Sequence, residues 1–329
     1  MGGIDLVQLN IVQAVRFALE QEMDRNPDVV VLGEDIGRNG GVFRATDGLL
    51  SKFGEERVID TPLSESGIVG AAIGMALYGL RPVAEIQFDG FLYPALDQII
   101  SHAGKIRNRS RGRFHVPLVI RVPYGGGIRA PEHHSDSPET FLVHTPGIKV
   151  TTPSTPYDTK GLLTSSIRDP DPVVFLEPKR IYRAIKGEVP EEDYVVPLGK
   201  AKVIREGEDV TLISWGAMIR PSVEAADKAK DTAEVEIIDL RTLSPLDSET
   251  ITRSVEKTGR AVVVHEAPRT CGLGAEITAL INEKAFLNLE APVERVTGFD
   301  VPFPLYKLES YYLPNVERII RGIENVVKF

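Results

Sequence analysis

"RVIDTPLSESGIVGAAIGMALYGLRPVAEIQF", residues 57–88, reads as strand, helix, strand. From Gly67 to Leu80 nothing carries charge, and Gly, Ala, Ile, Met and Leu surround every turn, so the segment reads as a helix buried on all sides. The flanking runs "RVID" and "PVAEIQF" are short and apolar, as strands of a covered sheet are. The same alternation extends both ways. Upstream, residues 8–25 place Ile11, Val12, Val15, Phe17, Ala18 and Leu19 at helical spacing behind Asn10, a fair N-cap, and "DVVVLGED" gives a buried parallel strand. Downstream, a helix is predicted from Pro94 to Arg107, with Leu96, Ile99, Ile100, Ala103 and Ile106 on one stripe. Strands follow in "VPLVIRVP", "IKVTTPS" and "DPVVFLEP". From Ile185 to Leu198 acids and prolines show no period, which reads as a linker. The alternation then restarts with "DVTLISWG", "AEVEIIDLRTLSP", "RAVVVHEAP" and "VERVTGF", separated by helices near 220–230, 247–258 and 274–287. The expected fold class is α/β, two domains with mainly parallel sheets, divided as 1–187, a linker over 188–199, and 200–329.

The chain has 329 residues, 42% hydrophobic and 26% charged, the balance of a globular protein. A net charge of -9 argues against nucleic acid as the main ligand. Cys271 is the only cysteine, which excludes intrachain disulfides and thiolate metal cages. The uncharged run 67–80 is too short to span a bilayer. The first ten residues carry no basic stretch before an apolar core, so a cytoplasmic location is expected, with a processed mitochondrial form as the alternative.

Two places could carry acid–base chemistry. Glu65 opens the apolar helix, where it is either a first-turn carboxylate favoured by the helix dipole, with Ser64 as cap, or a partly dry acid able to hold a proton. The stretch "VPYGGGIRAPEHHSDSPE", residues 122–139, sets three glycines and then His133 and His134 after a strand, at the edge where open α/β sheets bind ligands. Adjacent histidines share one zinc ion poorly, so metal is not the reading. "HEAPRTCGLGAEI" has Ile277 where a dinucleotide loop needs its third glycine and reads as a structural turn. The basic run "GKIRNRSRGR" reads as a solvated helix end, and "RDPDP", with Asp169 and Asp171, as a turn. Neither G-x-S-x-G nor a G-x-x-x-x-G-K-[ST] loop is present.

Taken together, "DTPLSESGIVGAAIGMALYGLRPVAEIQFDGFLYPALDQI" and "HHSDSPETFLVHTPGIKV" closely resemble the β subunit of thiamine-diphosphate-dependent 2-oxo acid dehydrogenases. The likeness continues through "DPVVFLEPKRIYR", "VTLISWGAM", "DLRTLSPLD" and "VTGFDVPFPLYKLESYYLPN", so it covers nearly the whole chain. It implies a pyrimidine-binding domain followed by a transketolase C-terminal-like domain, in an α₂β₂ heterotetramer with thiamine diphosphate between α and β. It also implies that Glu65 bonds the aminopyrimidine ring, that Phe91 packs on that ring, and that Leu63 and Gln87 contact the cofactor. His134 directly precedes "SDSPE" and matches the histidine that assists acyl transfer to the lipoyl arm. Asp136 stands where the family commonly has Gln, and His133 is an extra imidazole. A structural potassium ion would draw on backbone oxygens around Leu118 and near Asp169 and Asp171. Family α subunits hold magnesium and the diphosphate through Gly-Asp-Gly, which this chain lacks. The resemblance implies decarboxylation of a 2-oxo acid and acylation of the lipoyl group of a dihydrolipoyl acyltransferase core, which docks through its peripheral subunit-binding domain. Pyruvate and branched-chain acids such as 3-methyl-2-oxobutanoate both fit, and "HHSDSPE" leans to the branched-chain side. Rival readings are an acetoin dehydrogenase β subunit, a transketolase or deoxyxylulose-phosphate synthase fragment, and an inactive scaffold.

Overall fold

A computed structural model describes residues 5–329. Its strands are β1 (Leu6–Asn10), β2 (Val29–Gly33), β3 (Val58–Asp60), β4 (Arg81–Glu85), β5 (Val119–Tyr124), β6 (Lys149–Thr151) and β7 (Val173–Pro178). They continue with β8 (Lys186–Pro190), β9 (Lys202–Arg205), β10 (Val210–Ser214), β11 (Val235–Asp239), β12 (Thr242–Ser244), β13 (Ala261–Val264) and β14 (Glu294–Val296). One sheet has the order β12-β6-β7-β5-β4-β2-β3, parallel except for β12, which runs antiparallel to β6. A second has the order β14-β13-β10-β11-β9, parallel except for β9. The α/β class with mainly parallel sheets is therefore as the alternation indicated.

The strands read as unbroken apolar runs because both faces are covered. Val29, Val31, Val83 and Val119 pack with residues of the Ile11–Arg25 and Pro156–Arg168 helices. Their neighbours Leu32, Ala84 and Ile120 point the other way, to Ile68, Val69 and Ala72 of the Glu65–Tyr78 helix. Asn10 caps the first helix in a closed box: its side chain accepts from the Gln13 N–H, and the Gln13 side chain accepts from the Asn10 N–H, both at 2.9 Å.

Several expectations are corrected. The Glu65–Tyr78 helix is not buried on all sides: Gly67, Ala71, Gly74 and Leu77 are exposed, and Tyr78 is 89% exposed. Only one side of it meets the sheet within this chain. The single helix expected over Pro94–Arg107 is instead a 3₁₀ stretch Asp89–Ala95, a π-helical turn Gln98–Ala103 and a short α-turn Ile106–Arg109. The break falls at Gly104, where an added Cβ would meet the Pro146 carbonyl at 3.0 Å, so tertiary contact interrupts what periodicity would continue. Part of the expected linker is a strand, β8, paired with β1, a strand that the helical pattern of residues 8–25 concealed. "AEVEIIDLRTLSP" is two strands, not one. β11 stays in the second sheet while β12 crosses to extend the first, and Arg241 braces the crossing with an ion pair to Asp158 at 3.0 Å.

At the centre of the larger sheet lies Arg121 on β5, with no exposed side-chain surface. It stands opposite Glu85 on β4 and bonds it at 2.7 Å. It also takes Glu177 on β7 through two N–H groups, at 2.7 and 2.9 Å, and the Tyr182 hydroxyl donates to the same carboxylate. Burial pushes the Glu85 carboxyl above its ordinary value, against the pull of Arg121. Removing the cation would strand two buried acids. Arg121→Leu should therefore cost about 3–5 kcal/mol in denaturant unfolding of the chain. A loss below ~1 kcal/mol would show that the network contributes no more than a surface pair.

Candidate active site

In a parallel sheet, the residues just past the C-terminal strand ends face one crevice. Here that edge gathers Glu34 after β2, Glu65 after β3, Gln87, Phe88 and Phe91 after β4, the glycine–histidine loop after β5, and Lys179 after β7. Glu65 is the first residue of its helix and half-buried, and Ser64 caps the helix by accepting from the Gly67 N–H at 3.3 Å. The first-turn reading of this residue is therefore what the structure shows. Glu34 lies near enough to be affected: its carboxyl is raised by burial, then by the charges of Glu65 and Asp35. Gln87 Nε2 donates to the Glu34 carbonyl at 3.2 Å, tying β4's exit to β2's.

Beside these acids stands an aromatic cluster. Phe88 meets Phe43 at 5.4 Å and Phe91 at 6.2 Å between ring centroids. The His134 ring lies 4.3 Å from Phe88 and 5.2 Å from Phe91, and its Nδ1 bonds the Glu132 carbonyl at 2.7 Å. His133 points elsewhere. It has a left-handed backbone (φ 65°), its carbonyl accepts from the Gly90 N–H at 3.2 Å, and it lines a separate cavity of about 630 Å³ with Tyr93, Asp136 and Phe303. The fold thus brings His134, not His133, to Phe91.

Groups that sequence reasoning missed hold this loop. Lys179 and Asp89 form a fully buried ion pair; Lys179 Nζ also donates to the His134 carbonyl at 2.8 Å, and Asp89 accepts from the Asp136 N–H. The three glycines are not left open to a ligand. The Gly126 N–H donates to Glu266 at 3.0 Å and the Gly127 N–H to Glu309, both acids from the second half of the chain. A Cβ on Gly125, which has φ +81°, would meet Glu266 Oε1 at 2.6 Å, so glycine is required for this approach. Gly272 and Gly274 likewise admit the buried His265, which leaves "HEAPRTCGLGAEI" the structural turn expected.

This edge thus presents a half-exposed carboxylate at a helix start, aromatic rings, and an exposed apolar side chain at Leu63. Where potassium is expected, the carboxylates and one carbonyl already have partners within the chain. Asp169 grips Lys149 at 2.6 Å, Asp171 pairs with Arg107 at 2.6 Å, and the Leu118 carbonyl accepts from the Val173 N–H at 2.9 Å. Among the described residues no group of three or more His, Cys, Asp or Glu is placed to hold a metal ion.

Comparison with known proteins agrees with this layout. Residues 7–185 match the family described as transketolase, pyrimidine binding domain, and residues 199–319 match transketolase, C-terminal domain. The chain is 54% identical to the pyruvate dehydrogenase E1 component subunit beta of Acholeplasma laidlawii, over 97% of this chain and 98% of that one. It is 52% identical to the Bacillus subtilis protein of the same name, over 98% and 100%. Among solved structures it superposes on a split-gene transketolase, described as an inactive β4 tetramer, with a TM-score of 0.80, covering 99% of both chains at 22% identity.

Burial leaves a pH signature around the loop. It raises Glu139 to about 8, Glu266 to about 7 and Asp239 to about 7, so the folded chain keeps protons on these acids that the unfolded chain has released. Burial also holds His265 down to about 3, which opposes the acids only below the ordinary histidine range. Stability should therefore fall as pH rises from about 6.5 to 8. Glu139→Gln should flatten that slope in denaturant titrations at each pH. A slope unchanged by the substitution would mean that Glu139 is already ionised in the folded chain.

Proposed function

The chain belongs to the family of pyruvate dehydrogenase E1 component β subunits, built on the transketolase fold, and from that premise we propose that it supplies half of a thiamine-diphosphate-dependent active site that decarboxylates pyruvate. The observation that carries this reading is Glu65, half-exposed at its helix start and beside the crevice that holds Phe88, Phe91 and His134. Thiamine diphosphate, when bound, supplies the electron sink into which decarboxylation releases its electron pair. Glu65 would hold a proton against a nitrogen of the aminopyrimidine ring, while Phe91, Gln87 and Leu63 bind and orient that ring. His134, held by the Glu132 carbonyl, would move a proton during acyl transfer to the lipoyl arm of the acyltransferase core.

Magnesium and the diphosphate fall to an α subunit, since this chain has no Gly-Asp-Gly. The uncovered apolar face of the Glu65–Tyr78 helix supports a subunit contact, and we propose the α₂β₂ assembly, with the acyltransferase core docking through its peripheral subunit-binding domain. The proposed division of the chain is 1–187, 188–199 and 200–329, with β12 reaching back across it. Pyruvate-named relatives at 52–54% identity move the substrate from the branched-chain lean of "HHSDSPE" to pyruvate, and the acetoin reading has no comparable support. No helix of the described residues is long and apolar enough to cross a membrane, and a cytoplasmic location is proposed with the rest.

Reconstitution with an α subunit and thiamine diphosphate tests the reading. Pyruvate should be decarboxylated at least ~10-fold faster than 3-methyl-2-oxobutanoate, and the chain without α should be inactive. Glu65→Gln in the tetramer should lower decarboxylation by about 10²–10⁴-fold. Full activity in that variant would leave the chain as a scaffold. His134→Gln should depress lipoyl acylation more than decarboxylation assayed with an artificial electron acceptor, and an equal loss in both would remove it from the transfer step.

A further inference from the structure

Most buried or half-buried arginines of this acidic chain are matched by carboxylates: Arg121 by Glu85 and Glu177, Arg168 by Glu22 and Asp193, Arg241 by Asp158, Arg260 by Glu290. Arg57 and Arg81 bond backbone carbonyls instead, and so do three of four arginines gathered at a pocket of about 220 Å³ beside β14. Arg269, Arg295, Arg318 and Arg321 line it, with Glu294 and Asn325 at its side. Among the described residues none of the four arginines forms an ion pair.

Backbone carbonyls, not acids, orient three of these guanidiniums. Arg269 Nη1 donates to the Arg295 carbonyl at 2.7 Å, and Arg295 Nη1 returns the bond to the Arg269 carbonyl at 3.2 Å. Arg318 donates to the Tyr312 carbonyl at 3.0 Å and to the Thr297 carbonyl, and its guanidinium lies 4.5 Å from the centre of the Phe299 ring. A carbonyl positions an arginine without cancelling its charge, and each fork keeps N–H groups free. The nearby acid Asp300 is occupied, accepting from the Thr270 N–H and hydroxyl at 2.8 Å each. Burial lowers the Arg318 guanidinium with no carboxylate opposing it, and the charges of Arg295 and Arg269 add to burial in keeping His265 neutral. The pocket therefore carries an excess of positive charge, with Glu294 in its lining and Asp300, held low by its Thr270 hydrogen bonds and in part by Arg269, as the acids nearby.

We infer that this pocket binds a phosphate group, presented by a phosphomonoester or by pyrophosphate. Three guanidiniums held by backbone carbonyls, with Arg321 exposed beside them, offer planar donors to the oxygens of a tetrahedral dianion, and the volume admits such a group. The inference is independent of the activity proposed above. Its test is calorimetric titration of the full chain with pyrophosphate, inorganic phosphate and glycerol 2-phosphate, at ionic strength matched with chloride. Saturable binding is expected. Arg321 is exposed and braces no carbonyl, so Arg321→Gln should weaken binding about tenfold, the scale of one lost charge-assisted hydrogen bond, with the thermal midpoint unchanged. Whichever of the ester and the free ions binds tightest identifies the source of the phosphate. Heats equal to those of chloride overturn the inference, as does binding that Arg321→Gln leaves untouched. Loss of binding once an α subunit is added overturns it too, because the arginines would then belong to a subunit contact.

Discussion

One guanidinium, that of Arg121, holds three adjacent strands of the larger sheet at their C-terminal ends. Its partners are the last residue of β4 and the next-to-last residue of β7, so satisfying it sets where both strands stop. Several of the residues that form the crevice follow those stops. Gln87, Phe88 and Phe91 leave β4 immediately after Glu85, and Lys179 leaves β7 two residues after Glu177. The carboxylates in turn have no other cation to turn to within the sheet. A buried ion cluster of this kind contributes little net stability compared with apolar packing, but its misalignment is costly, and that asymmetry specifies register.

The same logic continues into the loop after β5. Lys179 finds Asp89, and together they grip both sides of His134: one through the His134 carbonyl, the other through the Asp136 N–H. On the far side, Glu266 and Glu309 reach in from the second half of the chain to take the amides of Gly126 and Gly127. The histidine loop is thus clamped between the two halves. With β12 also crossing into the first sheet, the halves share backbone hydrogen bonds as well as side chains.

Legibility in the sequence followed locality. Asn10 and Ser64 announce helix starts because their bonds lie within one turn, and the valine-rich strands announce themselves because burial on both faces demands apolar runs. β1 and β8 were missed because each is defined by a partner far away in the chain, and their alternation is short and weak, with Val189 its one fully buried residue. The broken helix after Pro94 was missed for a related reason: its break falls where Gly104 approaches Pro146 and Ile148, residues far along the chain. At the site, Glu65 and the paired histidines stood out by residue type, whereas Lys179, Asp89 and Glu266 look like ordinary surface charges until the fold buries them.

By itself, then, the sequence determined the α/β class, the helix caps, and the carboxylate and imidazole available for acid–base work, since these depend on side-chain type and spacing over a few residues. Tertiary structure alone decided which histidine stands with Phe91, that the three glycines receive acids from the other half, and that the apolar helix keeps one face uncovered. Those outcomes rest on contacts between residues far apart in the chain and on the desolvation such contacts impose, and no local pattern encodes either.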